Sequence, residues 1–198
     1  MQFKQRGNVK INVHDMEIDM LSLSGHKFHG PKGVGILYST PQHFDNLLHG
    51  GEQEEKRRAS TENMIGIAGL AQALSDAIAH KDENYQHVQE LRQAFLDGIS
   101  DLDYYINGSQ HKMPHVLNIG FPNQNNGILL AQLDLAGFAV STGSACTAGT
   151  VDPSHVLSSI YGDDSPRLTE SIRISFSELN TISEVQQLAK KLIEIVGK

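Results

Sequence analysis

The sequence predicts an α/β fold, and three observations carry that expectation. Short apolar segments alternate with longer helical stretches, turn formers separate them, and the helical stretches repeat apolar residues every three or four positions. Val9 to Val13 places Val9, Ile11 and Val13 on one face and reads as a short strand. Asp19 to Ser24 and Gly33 to Tyr38 are two further apolar runs, divided by Gly30 and Pro31. From Thr61 the pattern turns helical, with Ile65, Ala68, Ala71, Leu74 and Ile78 in a recurring stripe. A second stretch, Asn84 to Ile99, carries Val88, Leu91 and Phe95 on one face, and Asn107-Gly108 marks a turn.

The remainder reads β-α-β and then strand and helix. Val116 to Phe121 is a strand, Gly127 to Leu135 a helix, Phe138 to Ser141 a short strand and Ile172 to Phe176 another. Thr181 to Val196 is an amphipathic helix with Val185, Leu188, Leu192 and Ile195 inward. A boundary near residue 82 divides the chain into 1–82 and 83–198.

With 198 residues the chain can form one ordinary domain or two small ones. A net charge of -7 argues against nucleic acid, which needs a basic surface. No apolar run approaches the roughly 20 residues that span a bilayer, so no membrane is expected. The opening MQFKQRGNVK lacks the apolar core of a secretory signal. One cysteine excludes an internal disulfide and suits a reducing compartment, so a cytoplasmic setting is expected.

Three segments carry chemistry. Ser22-Leu-Ser-Gly-His-Lys-Phe-His-Gly-Pro-Lys-Gly-Val-Gly35 sets Lys27 after a strand and before a glycine-rich turn. A partly desolvated amine there can do Schiff-base chemistry, Ser24 and His26 can bind a phosphate, and the glycines admit close backbone approach. The residues alone also allow a solvated lysine in a turn. Around Cys146, Val140-Ser-Thr-Gly-Ser-Ala-Cys-Thr-Ala-Gly-Thr150 is small and polar, which predicts an exposed, mobile loop with a reactive thiol. Arg173, in Ser171-Ile-Arg-Ile-Ser-Phe176, can clamp a carboxylate with two parallel bonds, or serve as a surface ion-pair residue.

Together these segments resemble the cysteine desulfurases of the class V aminotransferase group. The Ser-x-Ser-Gly-His-Lys and Gly-Pro-Lys-Gly-x-Gly run is similar to their cofactor-lysine signature. Their Ser-x-Gly-Ser-Ala-Cys loop and downstream Ser-His-Val-Leu match 141–157. The resemblance implies pyridoxal 5'-phosphate held on Lys27, with Ser24, Gly25 and His26 at its phosphate. Lys32 belongs to the following turn. It further implies L-cysteine as substrate, its carboxylate on Arg173, and Cys146 as the nucleophile that keeps the sulfur as a persulfide. The sulfur would pass to an acceptor protein for iron–sulfur cluster assembly or tRNA thiolation. No resident metal is implied, although Cys146 is a candidate transient ligand of an iron–sulfur cluster.

His49-Gly-Gly-Glu-Gln-Glu-Glu-Lys-Arg-Arg-Ala-Ser-Thr-Glu-Asn63 resembles the family's next motif. There the threonine reaches the cofactor phosphate of the partner subunit in a homodimer, so Thr61 takes that role. A plain N-cap of the following helix is its other reading. Glu52 and Ser60 stand where that motif has glycines. If the backbone at 60 takes φ > 0, serine is strained there by roughly 1 kcal/mol or more.

The resemblance covers essentially the whole chain but begins partway along the family pattern. It implies a C-terminal half of a fold-type I transferase, with part of the cofactor-binding large domain at 1–82 and the small domain at 83–198. The family's Gly/Ala-Thr phosphate turn, ring-stacking histidine and ring-nitrogen aspartate find no counterpart here. Gln2 or Gln5 is a candidate cofactor contact. The expectation is a chain that is inactive and poorly stable until an N-terminal polypeptide completes it. A selenocysteine lyase, another class V aminotransferase and a non-catalytic remnant are the rival readings.

Overall fold

Two three-stranded sheets, each with its own helices, make up the described part of the computed structural model. It describes residues 2–3 (by backbone), 11–40, 45–109, 113–143 and 154–197. The chain divides into two compact units, Met1–Asn84 and Tyr85–Lys198.

In the first unit β1 (Gln2–Phe3) runs parallel to β2 (Met20–Ser24), and β2 pairs antiparallel with β3 (Gly35–Ser39). The strand expected at Val9 to Val13 is not formed in its described part. Asn12 Oδ1 accepts from the His14 amide at 3.1 Å, and the Met16 and Ile18 amides bond back to the carbonyls of Asn12 and Val13. An asparagine side chain that satisfies nearby amides competes with a strand ladder, and here the turn wins.

After β3 comes α1 (Gln53–Lys56), a short turn in which Glu54, Glu55 and Lys56 all have positive φ. The helix α2 (Met64–Ala79) follows. Its cap is Asn63, whose side chain accepts from the Gly66 amide at 3.0 Å, so the N-cap reading of Thr61 is corrected. The stripe that announced α2 is not its buried face. Ile65 is 89% exposed and Ile78 66%, whereas Gly66 and Leu70 are buried.

In the second unit β4 (Tyr105–Ile106), β5 (Val116–Gly120) and β6 (Ser171–Ser175) form an antiparallel sheet. The register pairs Leu117 with Ile174 and Ile119 with Ile172 on one face, and Asn118 with Arg173 on the other. The apolar face is covered by α3 (Lys81–Gly98), α4 (Asn126–Leu135) and α7 (Ile182–Val196) through Leu91, Phe95, Leu133 and Leu192, all fully buried. Phe95 and Phe176 meet at 6.0 Å between ring centroids. Thr181 and Glu184 close α7 with a reciprocal capping box. Two short helices, α5 (His155–Tyr161) and α6 (Arg167–Glu170), lead into β6. The strand expected at Phe138 to Ser141 is reduced to one bridge, Ser141 to Arg173.

The two units differ in how much they bury. Among the described residues the second unit's core cluster holds sixteen buried side chains. Among its described residues the first unit buries only Leu21, Phe28, Ala59 and Leu70 as hydrophobic residues, while Leu37, Leu47, Leu48 and Met64 stay exposed. Each large buried side chain contributes about 1.5–3 kcal/mol against roughly 1–2 kcal/mol of backbone entropy per ordered residue. The first unit therefore carries much the thinner core.

Candidate active site

Lys27 sits on an excursion between two paired strands. The register joins Ser24 of β2 to Gly35 of β3, and residues 25–34 leave the ladder between them. The excursion opens with a 3-10 turn, Gly25–Phe28, whose third residue is Lys27. Phe28 is buried beneath it, His26 and His29 are exposed, and Lys27 itself is half-buried. Two backbone bonds close the base, from Gly25 N to Val34 O at 3.0 Å and from Gly30 N to Gly25 O at 2.9 Å. His29 ends the turn with φ 66°.

Helix α2 lies against this excursion so closely that a Cβ at three glycines would force a neighbour to move. A Cβ on Gly66 would stand 2.4 Å from Val34 Cγ1, one on Gly69 2.7 Å from Pro31 Cγ, and one on Gly25 2.8 Å from Leu70 Cδ1. Packed interiors yield little to such intrusions, so the lysine turn is held as a rigid piece. Ser24, Gly25, His26 and Lys27 are thus brought together on one fixed turn. The half-buried Ser24 hydroxyl caps none of the turn's amides among the described residues, which leaves it available to an anion.

Thr61 is exposed just before α2, and Ser60 beside it has φ 85°. The strain expected of a serine in a glycine's place is therefore present. Gln2 pairs through its backbone with Ser22, and Gln5 lies outside the described residues.

In the second unit Arg173 is central in β6. Its amide donates to Ser141 O at 2.6 Å and its carbonyl accepts from Ser141 N at 3.1 Å, with Asn118 opposite on β5. The side chain is half-buried, and its buried Nε has no hydrogen-bond partner among the described residues. A buried guanidinium donor left without a partner is costly, and a carboxylate would satisfy it. Cys146 lies outside the described residues; Gly143 and Ser154 are the described residues on either side of its segment.

The sequence reading did not single out Gly66, Gly69, Leu70 or Asn118. The three-residue spacing of Gly66 and Gly69 inside a helix is the signal that points to close packing.

The family model for aminotransferase class-V matches residues 4–188. A putative cysteine desulfurase IscS 1 of Bacillus subtilis (strain 168) is 47% identical over 196 residues, covering 97% of this chain and 52% of that protein. Among solved structures, a NifS-like protein superposes with a TM-score of 0.83 at 34% identity, over 98% of this chain and 50% of its own. SspA in complex with cysteine gives a TM-score of 0.69 at 29% identity, over 91% and 50%. The chain spans about half the length of the curated relatives it matches.

Proposed function

Because the chain belongs to the aminotransferase class V family, we propose that it supplies the lysine, the thiol and the carboxylate-binding arginine of a cysteine desulfurase. The overall reaction turns L-cysteine into L-alanine and leaves its sulfur on Cys146 as a persulfide. The observation that carries this reading is the rigid turn that presents Ser24, Gly25, His26 and Lys27 together. Relatives named as cysteine desulfurases, and a related structure solved with cysteine, support the choice of substrate.

The residues present fit two ends of pyridoxal phosphate. Lys27, a half-buried residue, offers an amine for the aldehyde, while Ser24, His26 and Thr61 offer donors for the phosphate. When bound, that group supplies an electron sink for the substrate's Cα. Lys27 would hold the group and then carry a proton at Cα. Arg173 would fix the substrate carboxylate through its guanidinium, whose Nε has no partner among the described residues. The Cys146 thiolate would attack the substrate sulfur. The new S–S bond forms as the Cβ–S bond breaks, the electron pair stays on carbon, and carbon takes a proton to become the methyl of alanine.

The exposed apolar surface of the first unit supports the further reading that activity requires the half of the relatives' length not included in these residues, whether joined to this chain or supplied separately. The division of roles between 1–82 and 83–198, a homodimer in the complete enzyme, a sulfur-acceptor protein and a cytoplasmic setting belong to the same proposal. No described helix is long and apolar enough to cross a membrane.

The test is to incubate the chain with the remaining half of a relative and pyridoxal phosphate, reduce with borohydride and map the modified lysine. Modification confined to Lys27 and lost in Lys27→Ala supports the reading. Modification spread over exposed lysines such as Lys32 overturns it.

A further inference from the structure

The face of the second sheet that carries Arg173 also carries a polar cluster that the proposed chemistry does not use. Asn107 is buried, and its Nδ2 donates to Asn118 Oδ1 at 2.6 Å and to Ser171 Oγ at 2.8 Å. Asn107 Oδ1 accepts from Arg167 Nη1 at 2.7 Å. The Arg167 guanidinium lies between two rings, 4.1 Å from the Tyr105 centroid and 4.5 Å from that of Tyr161. Tyr105 in turn rests over Gly120, where a Cβ would fall 2.3 Å from its ring. A planar guanidinium can stack on both sides while its edge donates a hydrogen bond; a lysine ammonium cannot.

Tyr161 is the last residue of α5, and its hydroxyl accepts from the Gly108 amide at 3.0 Å. Helix α5 is capped by Ser154, the first described residue after the Cys146 segment. Before that segment, Ser141 is bonded to the backbone of Arg173 itself. Both flanks of the segment are therefore tied to one sheet, one directly at Arg173 and the other through Arg167.

We propose that Arg167 is a positioning residue: clasped between Tyr105 and Tyr161, it fixes the end of α5, and with it the downstream flank of the Cys146 segment, on the sheet face that bears Arg173. This rests on the desulfurase reading, which gives Cys146 and Arg173 a common substrate.

The experiment uses the full chain without cofactor or partner, so its outcome is independent of desulfurase activity. Cys146 is the sole cysteine, and a nitroxide attached there reports from one place. In Arg167→Ala the amides of 155–161 should exchange about tenfold faster or more, with β5 and β6 unchanged. The nitroxide spectrum should change as well, and Arg167→Lys should lie between the two. If Arg167→Ala loses protection throughout the second unit, Arg167→Lys decides: selective loss in 155–161 supports the proposal, and uniform change or none overturns it. A residue that only adds stability would lower the unfolding midpoint and leave the native exchange pattern and spectrum as they were, which also overturns it.

Discussion

Replacing Ser60 with glycine should stabilise the first unit. At φ 85° Ser60 occupies a region where a Cβ costs roughly 1–2 kcal/mol. The backbone cannot relax easily, because the neighbouring Ala59 is buried and its amide donates to Leu48 O at 3.1 Å. Glycine removes the steric cost but enlarges the unfolded ensemble, which takes back about 0.4–1 kcal/mol. The net gain is about 0.5–1 kcal/mol. In urea, with a slope of about 1–2 kcal/mol per molar, the first unit's midpoint should rise by about 0.5 M at unchanged slope. Gly33 provides the reverse control: it has φ 82° with open space around its Cβ position, so Gly33→Ser should lower the midpoint by a similar amount. A midpoint unmoved or lowered in Ser60→Gly, with Gly33→Ser behaving as expected, would refute the strain at Ser60.

Three further outcomes follow from the geometry. Asn63→Ala should cost about 1 kcal/mol in thermal unfolding through loss of the α2 cap, and Thr61→Ala less than about 0.5 kcal/mol, with weakened pyridoxal phosphate binding only in the latter; equal costs would give the capping role back to Thr61. Gly35→Ala should destabilise by about 1–3 kcal/mol, because its Cβ would stand 2.5 Å from Leu23 O in the paired strand, and a neutral effect on urea unfolding would contradict the close pairing of β2 and β3. Burial, then the hydrogen bond to Glu170, pushes the Tyr105 phenol up to about 12. A folded value above the ordinary 10.0 means that its stabilising contribution is complete below that pH and is lost as pH rises towards 12. Phenolate absorbance should show a late-titrating component that Tyr105→Phe removes; all five tyrosines titrating together near 10.0 would refute the assignment.

What was legible in the sequence was what hydropathy encodes. The faces of α3 and α7 follow from Val88, Leu91, Phe95, Val185, Leu188 and Leu192, and these side chains are buried. The packing of α2 was not legible, because it runs through Gly66 and Gly69, which carry no hydropathy and act by letting backbone approach. The apolar stripe of Ile65 and Ile78 marks the helix but faces outward in this chain. At Asn12, side-chain chemistry overrode an alternating pattern. The lysine, threonine and arginine motifs could be read as chemistry, yet the unpartnered Nε of Arg173 and the clamp on the lysine turn come only from the fold. The strain at Ser60 is an intermediate case: the sequence posed the question and φ answered it.

Central to this reading is that Lys27 and Cys146 serve one reaction once the rest of the relatives' length is present. The most direct measurement combines this chain, the remaining half of a relative, pyridoxal phosphate and L-cysteine, and follows alanine release together with the mass of the peptide containing Cys146. One alanine is expected for each sulfur atom gained on Cys146 before any acceptor is added, with both signals absent in Lys27→Ala and alanine release blocked in Cys146→Ala. Alanine formed at the same rate by Cys146→Ala, or sulfur gained by the Lys27→Ala chain, would contradict it.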